Sequence, residues 1–105
     1  MITLPIQLPE VQLNQFCSRW KVRELALFGS VLRNDFHPDS DIDILISFRS
    51  SADWGLFDHV KMQQELENIL GRQVDLVSKR AIERSHNWIR RREILETAKV
   101  IYAKK

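Results

Sequence analysis

Hydrophobic residues recur along the chain with two different periods, and their order predicts helices alternating with strands. Pro9 and Glu10 mark a helix start, and apolar residues follow at i, i+3, i+4 and i+7: Leu13, Phe16, Cys17 and Trp20. The pattern then predicts a strand over Val22–Phe28, ended by Gly29-Ser30. The polar segment 31–40 predicts a short helical turn followed by a loop.

Residues 41–48 give the best strand pattern in the chain. With a side-chain period of two, one face carries Ile42, Ile44, Ile46 and Phe48, and the other carries Asp41, Asp43, Leu45 and Ser47. The strand therefore combines an apolar face with a face that holds two carboxylates.

The second half of the chain repeats the alternation. Asp53 is a candidate N-cap for a helix that ends at Gly71 and has apolar residues at helical spacing: Leu56, Phe57, Val60, Leu66, Ile69 and Leu70. Residues 73–78 predict a third strand, residues 79–98 a basic and mostly helical stretch, and residues 100–103 a short final strand. This order predicts an α/β (α+β) fold, a small mixed β-sheet flanked by helices, with residues 1–105 forming a single domain.

Composition adds few constraints. The 105 residues are 44% hydrophobic, with a net charge of only +2, so a folded domain is expected and direct nucleic-acid binding is not. The single cysteine, Cys17, excludes an internal disulfide and suits a reducing compartment. No signal peptide and no run of the ~20 apolar residues that span a bilayer is visible, so we expect a cytoplasmic protein without a membrane association.

The paired acids Asp41 and Asp43 carry the most chemical information. Both point to one face of a strand, a few ångströms apart, where like charges repel unless water or a cation lies between them. Asp75 lies in another apolar strand and joins the same cluster if the two strands are neighbours. Three acids around two Mg²⁺ ions about 3.5–4 Å apart are a standard device for displacement at phosphorus. The alternative is that these are ordinary surface acids.

The pair Gly29-Ser30 favours the catalytic interpretation. A glycine at the end of a strand lets backbone N–H groups approach a phosphate, and the serine hydroxyl adds a donor. A Gly-Ser pair separated by ten intervening residues from Asp41-x-Asp43 is much less accidental than either feature alone.

This combination resembles the signature of the DNA-polymerase-β-like nucleotidyltransferase superfamily, and Asp75 matches its third acid. The likeness extends over nearly the whole chain and is strongest to the minimal nucleotidyltransferase (MNT) antitoxins of HEPN/MNT toxin–antitoxin pairs. The resemblance implies that Gly29 and Ser30 hold the triphosphate of ATP and that Asp41, Asp43 and Asp75 bind two Mg²⁺ ions. It further implies a phosphate contact for Arg33, and Ser40 is a weaker candidate that caps the loop or touches the nucleotide.

The same resemblance implies transfer of AMP to a tyrosine hydroxyl of a HEPN-type ribonuclease toxin, in a hetero-oligomer with that toxin. The shortness of the chain also favours an acceptor on another protein. Two alternatives remain at this point. One is a non-catalytic antitoxin that neutralises its toxin by binding, and the other is a nucleotidyltransferase for a small molecule or an RNA end.

Other residues have simpler interpretations. The basic stretch from Lys79 to Arg92 is interleaved with glutamates, which favours a solvated face over partner docking. His37, His59 and His86 show no metal-ligand spacing. We expect Trp20, Trp54 and Trp88 to pack against the fold.

Overall fold

The computed structural model describes residues 6–33, 36–37 and 39–104, and within them the chain forms one four-stranded sheet with four α-helices. The strands are β1 (Val22–Phe28), β2 (Ile42–Phe48), β3 (Val74–Ser78) and β4 (Lys99–Ala103). The helices are α1 (Glu10–Arg19), α2 (Leu56–Leu70), α3 (Lys79–Glu83) and α4 (Trp88–Thr97), and a 3-10 turn follows β1 at Gly29–Leu32. None of the helices in these ranges is long and apolar enough to cross a membrane.

The sheet is mixed, as the sequence predicted. Its strand order is β3-β2-β1-β4, with β1 antiparallel to both β2 and β4. Strands β2 and β3 are parallel and are joined through α2, which supplies the crossover that parallel neighbours require. This topology places the start of β2 beside the start of β3 and opposite the end of β1.

The sheet is covered on both faces. Residues of α1 and α2, such as Phe16 and Leu66, share one buried cluster with Leu25 and Ile44 of the sheet. A smaller cluster on the other face joins strands to α3 and α4 through Ala26, Phe28, Leu45, Ile82 and Ile94. The alternation predicted along β2 is confirmed, and Leu45 on the second face is buried as well.

The signals for helix ends were confirmed at Pro9 and Gly71 but not at Asp53. Pro9 is the residue before α1, and Gly71 ends α2 with a left-handed φ of 68°. The prediction that Asp53 caps α2 is wrong, because the helix begins two residues after Trp54 with Gly55 at the cap position. The Trp54 indole N–H donates to the Trp20 carbonyl at 2.8 Å, and Asp58 instead accepts from the Gly55 N–H at 3.0 Å.

The apolar stripe of α2 meets the core only from Met62 onward. Met62 and Leu66 are fully buried, whereas Leu56, Phe57 and Val60 are 77%, 84% and 46% exposed. These three residues therefore share the helical spacing of the apolar residues of α2 without belonging to the core. Periodicity shows which face of a helix is apolar, but it does not show along how much of its length the helix touches the sheet.

The basic stretch is mostly helical, as predicted, and it is divided into two helices. Residues 84–87 separate α3 from α4, and the Asn87 side chain caps α4 by accepting from the Arg90 N–H at 3.1 Å. Asn and Ser side chains compete for backbone N–H groups and so favour helix ends. Trp88, the first residue of α4, is 59% exposed, which contradicts its predicted packing.

Candidate active site

Strand register brings two of the three predicted acids side by side. Asp43 pairs with Asp75 across the parallel β2–β3 ladder, and it lies opposite Phe28, the last residue of β1. The residues flanking both aspartates point into the α1–α2 core, so the aspartates point to the α3–α4 face. Asp41 precedes β2 by one residue and lies two positions from Asp43. Asp43 is half-buried, and Asp41 and Asp75 are exposed.

Gly29 is in direct contact with the Asp43 carboxylate. Its φ of +76° is a left-handed conformation, and a Cβ built on it would lie 2.1 Å from Asp43 Oδ2. Both observations make a side chain at this position unfavourable. Glycine is therefore what allows the end of β1 and the carboxylate of β2 to approach each other.

Gly29 and Asp43 both line a cleft of about 520 Å³. Arg33 also lines this cleft, and α4 and the start of β4 supply its far wall with Arg90, Glu93, Ile94, Thr97 and Lys99. The sequence interpretation assigned the basic stretch to a solvated face and so missed Arg90. A signal was present, because an N-cap at Asn87 places Arg90, Ile94 and Thr97 on one helix face at i, i+4 and i+7.

The charges around Asp43 oppose one another. Burial raises the pKa of Asp43, and the nearby carboxylates of Asp75 and then Asp41 raise it further. The guanidinium groups of Arg33 and Arg90 act in the opposite direction, lowering the pKa. The three acids therefore interact electrostatically, with two arginines at the same cleft.

Four of the other predicted residues lie outside this cleft lining: Ser30, Ser40, Asp41 and Asp75. Ser30 is half-buried in the 3-10 turn, where its carbonyl accepts from the Arg33 N–H at 2.9 Å. Ser40 and Asp41 line a separate depression of about 310 Å³ together with Arg72. The Ser40 hydroxyl accepts from the His37 N–H at 3.1 Å, which corresponds to the first of the two roles that the sequence offered for it, capping the loop.

Arg72 is a second residue that sequence reasoning missed. It donates to the carbonyl oxygens of His37 at 2.8 Å and Ser40 at 3.3 Å, and its guanidinium lies 4.4 Å from the centre of the Phe36 ring. These contacts hold the loop that leads into Asp41. Arg72 follows the helix-ending Gly71, and no spacing in the sequence indicates that it reaches a loop more than thirty residues earlier.

The acids fit a divalent cation by chemistry, although they do not converge on one point. Within the described ranges, no three His, Cys, Asp or Glu side chains are close enough to coordinate one ion together. The donor set nevertheless consists of carboxylate oxygens, the ligands that Mg²⁺ prefers. Mutual repulsion that raises the Asp43 pKa is also what a bound cation would relieve.

Comparison with known proteins agrees with this geometry. The family model described as "Nucleotidyltransferase domain" matches residues 10–101, which is most of the chain. The protein adenylyltransferase MntA of Thermococcus cleftensis is 38% identical over 65 residues, covering 62% of this chain and 64% of that protein. The chain thus matches less than two thirds of the length of the first curated relatives.

Solved structures share the fold. One described as a "putative minimal nucleotidyltransferase" is 32% identical, with a TM-score of 0.63, and the match covers 89% of this chain and 86% of that one. A crystal structure described as a toxin–antitoxin with AMP-PNP has a TM-score of 0.69 at 23% identity, covering 93% of this chain and 76% of that one. The small mixed sheet flanked by helices is therefore the architecture of minimal nucleotidyltransferases.

Proposed function

Because the chain belongs to the nucleotidyltransferase domain family, we propose that it transfers AMP from ATP to a hydroxyl group of a partner protein. The observation that carries this proposal is the pairing of Asp43 with Asp75 beside Gly29, with Asp41 on the same face. The names of its relatives support the protein acceptor, since they are called protein adenylyltransferases.

The cleft has the size and charge for a nucleoside triphosphate. Its volume of about 520 Å³ lies within the usual range of small-ligand sites, roughly 300–1,000 Å³. Gly29 exposes backbone in its lining, and Arg33, Arg90 and Lys99 supply positive charge for phosphate oxygens. Ser30 begins the same turn and is proposed as a further donor to the triphosphate. Ser40 supports the site by holding the loop before Asp41.

Asp41, Asp43 and Asp75 would hold Mg²⁺, with two ions proposed. Asp41 and Asp75 are exposed, so their side chains are free to turn toward the half-buried Asp43. Bound Mg²⁺ would neutralise the triphosphate and stabilise the charge that develops on the attacking and leaving oxygens.

The residues of this chain then perform positioning and proton transfer. The acceptor hydroxyl oxygen forms a bond to the α-phosphorus, and the bond from that phosphorus to the bridging oxygen of the β-phosphate breaks. Pyrophosphate leaves with the electron pair, and the hydroxyl proton passes to the Asp75 carboxylate, which is exposed to solvent. Arg33 and Arg90 hold the triphosphate in line with the attack.

The proposed acceptor is a tyrosine of a HEPN-type toxin, which makes this chain the antitoxin of the pair. Two structural neighbours support a toxin partner, since they are described as a toxin–antitoxin with AMP-PNP and as the toxin–antitoxin MntA-HepT. Modification of the toxin, in a hetero-oligomer with this chain, would silence it.

Intact-mass spectrometry tests the proposal. The purified chain is mixed with ATP, Mg²⁺ and the product of the adjacent gene, and each protein is weighed. We expect one or more AMP units on the partner, lost with Asp43→Asn and retained with Glu10→Gln, which removes the same charge at an exposed position on α1 that lines none of the clefts. Transfer that survives Asp43→Asn would refute the proposal.

The binding-only alternative is tested by measuring the activity of the toxin alongside its mass. If Asp43→Asn still neutralises the toxin and no mass is added, the chain acts by occlusion. The exposed apolar residues of α2 give this alternative a structural basis, since they provide a surface that a partner could cover.

A further inference from the structure

The first two turns of α2 expose large apolar side chains at the surface. Leu56, Phe57 and Val60 are 77%, 84% and 46% exposed, and they are successive neighbours on one helix. A monomeric protein gains nothing by presenting such a patch to water, and contiguous apolar surface commonly marks an interaction site.

A cleft of about 770 Å³ lies directly beside this patch. Leu56 belongs to its lining, which continues with the apolar side chains of Phe48, Trp54 and Met62. Its cationic side chains are Arg49, Lys79 and Arg80. We call the patch and this cleft together the α2 surface.

Arg49 gives the α2 surface a preference for an anionic group. Its Nε is buried and has no hydrogen-bond partner in the described part of the chain. Asp53 and Glu83 also line the cleft, but neither forms an ion pair with Arg49 among those residues. A partly desolvated guanidinium without a counter-ion is stabilised when a carboxylate reaches it.

The α2 surface lies at the opposite end of the strands from the aspartates. Asp43 is near the start of β2 and Phe48 is its last residue, so five residues, or about 16 Å of strand, separate them. A protein bound to the α2 surface therefore leaves the nucleotide cleft open.

We infer that the α2 surface is the docking site for the acceptor protein, through a segment that combines apolar side chains with a carboxylate. The apolar side chains cover Leu56, Phe57 and Val60, and the carboxylate pairs with Arg49. The identity of the partner rests on the proposed function, whereas the location and chemistry of the surface rest on the structure. Docking here holds the two proteins together while a separate part of the acceptor reaches Asp75.

The competing occupant is a second copy of this chain. Helix α4 also exposes apolar side chains and carboxylates, the two groups that we expect in the docking segment: Trp88, Ile89, Glu93 and Glu96. Because these residues lie on a different face from α2, such pairing would be head-to-tail and would build rings or open chains of molecules.

The experiment measures affinity for the purified product of the adjacent gene by calorimetry. Phe57→Gln and Arg49→Gln are compared with Val11→Gln, a matched control because Val11 is 69% exposed on α1. We expect a loss of roughly tenfold or more for Phe57→Gln and for Arg49→Gln, and no change for Val11→Gln. Circular dichroism checks that both variants are folded. Phe57→Gln changes an exposed residue, so it tests the inference even if Arg49→Gln does not fold.

ATP binding, measured in parallel, separates the two proposals. Partner binding that is lost while ATP still binds supports docking on α2. Unchanged partner affinity in Phe57→Gln overturns the inference and leaves the proposed function intact. If the wild type forms oligomers and Phe57→Gln is monomeric, then the α2 surface binds a second copy of the chain instead. No partner binding by the wild type overturns both the docking inference and the protein acceptor.

Discussion

Substituting the three glycines by alanine, one at a time, separates backbone strain from steric conflict at the proposed site. Gly29 and Gly71 share almost the same left-handed φ, 76° and 68°, but only at Gly29 does an added Cβ meet another residue. Gly55 has an ordinary φ of −95° and open space around it. The chain thus supplies its own controls.

The expected magnitudes follow from this geometry. A left-handed conformation costs a residue with a Cβ about 1–2 kcal/mol, which is the full effect expected for Gly71→Ala. Gly29→Ala also places its Cβ 2.1 Å from Asp43 Oδ2 and forces that side chain off its rotamer, adding about 0.5–1.5 kcal/mol. Gly55→Ala should change the free energy of unfolding little, because lower unfolded-state entropy offsets a poorer cap residue.

Urea unfolding followed by circular dichroism measures these differences, and thermal unfolding should show shifts of about 4–8 °C per kcal/mol. We further expect Gly29→Ala to lower the rate of AMP transfer about a hundredfold, because it displaces Asp43, while Gly71→Ala retains the rate. If Gly29→Ala is no less stable than Gly71→Ala and keeps its activity, then the close approach of Gly29 to Asp43 is not part of the site.

Three further predictions concern charge and burial. The pKa of Asp43 is raised, above all by burial, so its charged form destabilises the folded state. In EDTA, the free energy of unfolding of the wild type should therefore rise as the pH falls through this pKa. Asp43→Asn should make the free energy of unfolding less dependent on pH over the same range. Arg90→Gln should weaken ATP binding roughly tenfold or more in calorimetry, whereas Arg92→Gln, which loses only an exposed pair with Glu96, should not. Burial raises the pKa of Cys17 to about 12, so a thiol reagent at pH 8 should label the chain in urea but not when folded.

Each of these has a clear contrary result. If the free energy of unfolding depends on pH in the same way for the wild type and Asp43→Asn, from neutral to acidic pH, then the charge of Asp43 does not destabilise the folded state. If Arg90→Gln and Arg92→Gln lose the same ATP affinity, then Arg90 contributes only to the overall positive charge and does not contact the triphosphate. Rapid labelling of native Cys17 would show that α1 opens from the sheet.

The sequence alone predicted the order of the helices and strands and the carboxylates of the candidate site. Strand periodicity placed Asp41 and Asp43 on one face, and the glycine signal ended α2 at Gly71. These features are local, since each depends on residues within one or two turns of helix or one strand. The short spacing from Gly29 to Asp43 was informative for the same reason, because it joins two adjacent strands.

Tertiary structure decided which of these groups meet. The pairing of Asp43 with Asp75 depends on the β2–β3 register, and Arg90 enters the cleft only because α4 packs across Phe28 and Leu45. The extent of contact between α2 and the sheet likewise left Phe57 in water while burying Leu66. Contacts between residues far apart in the chain depend on how whole helices and strands pack against one another. A local pattern of apolar and polar residues does not predict that packing.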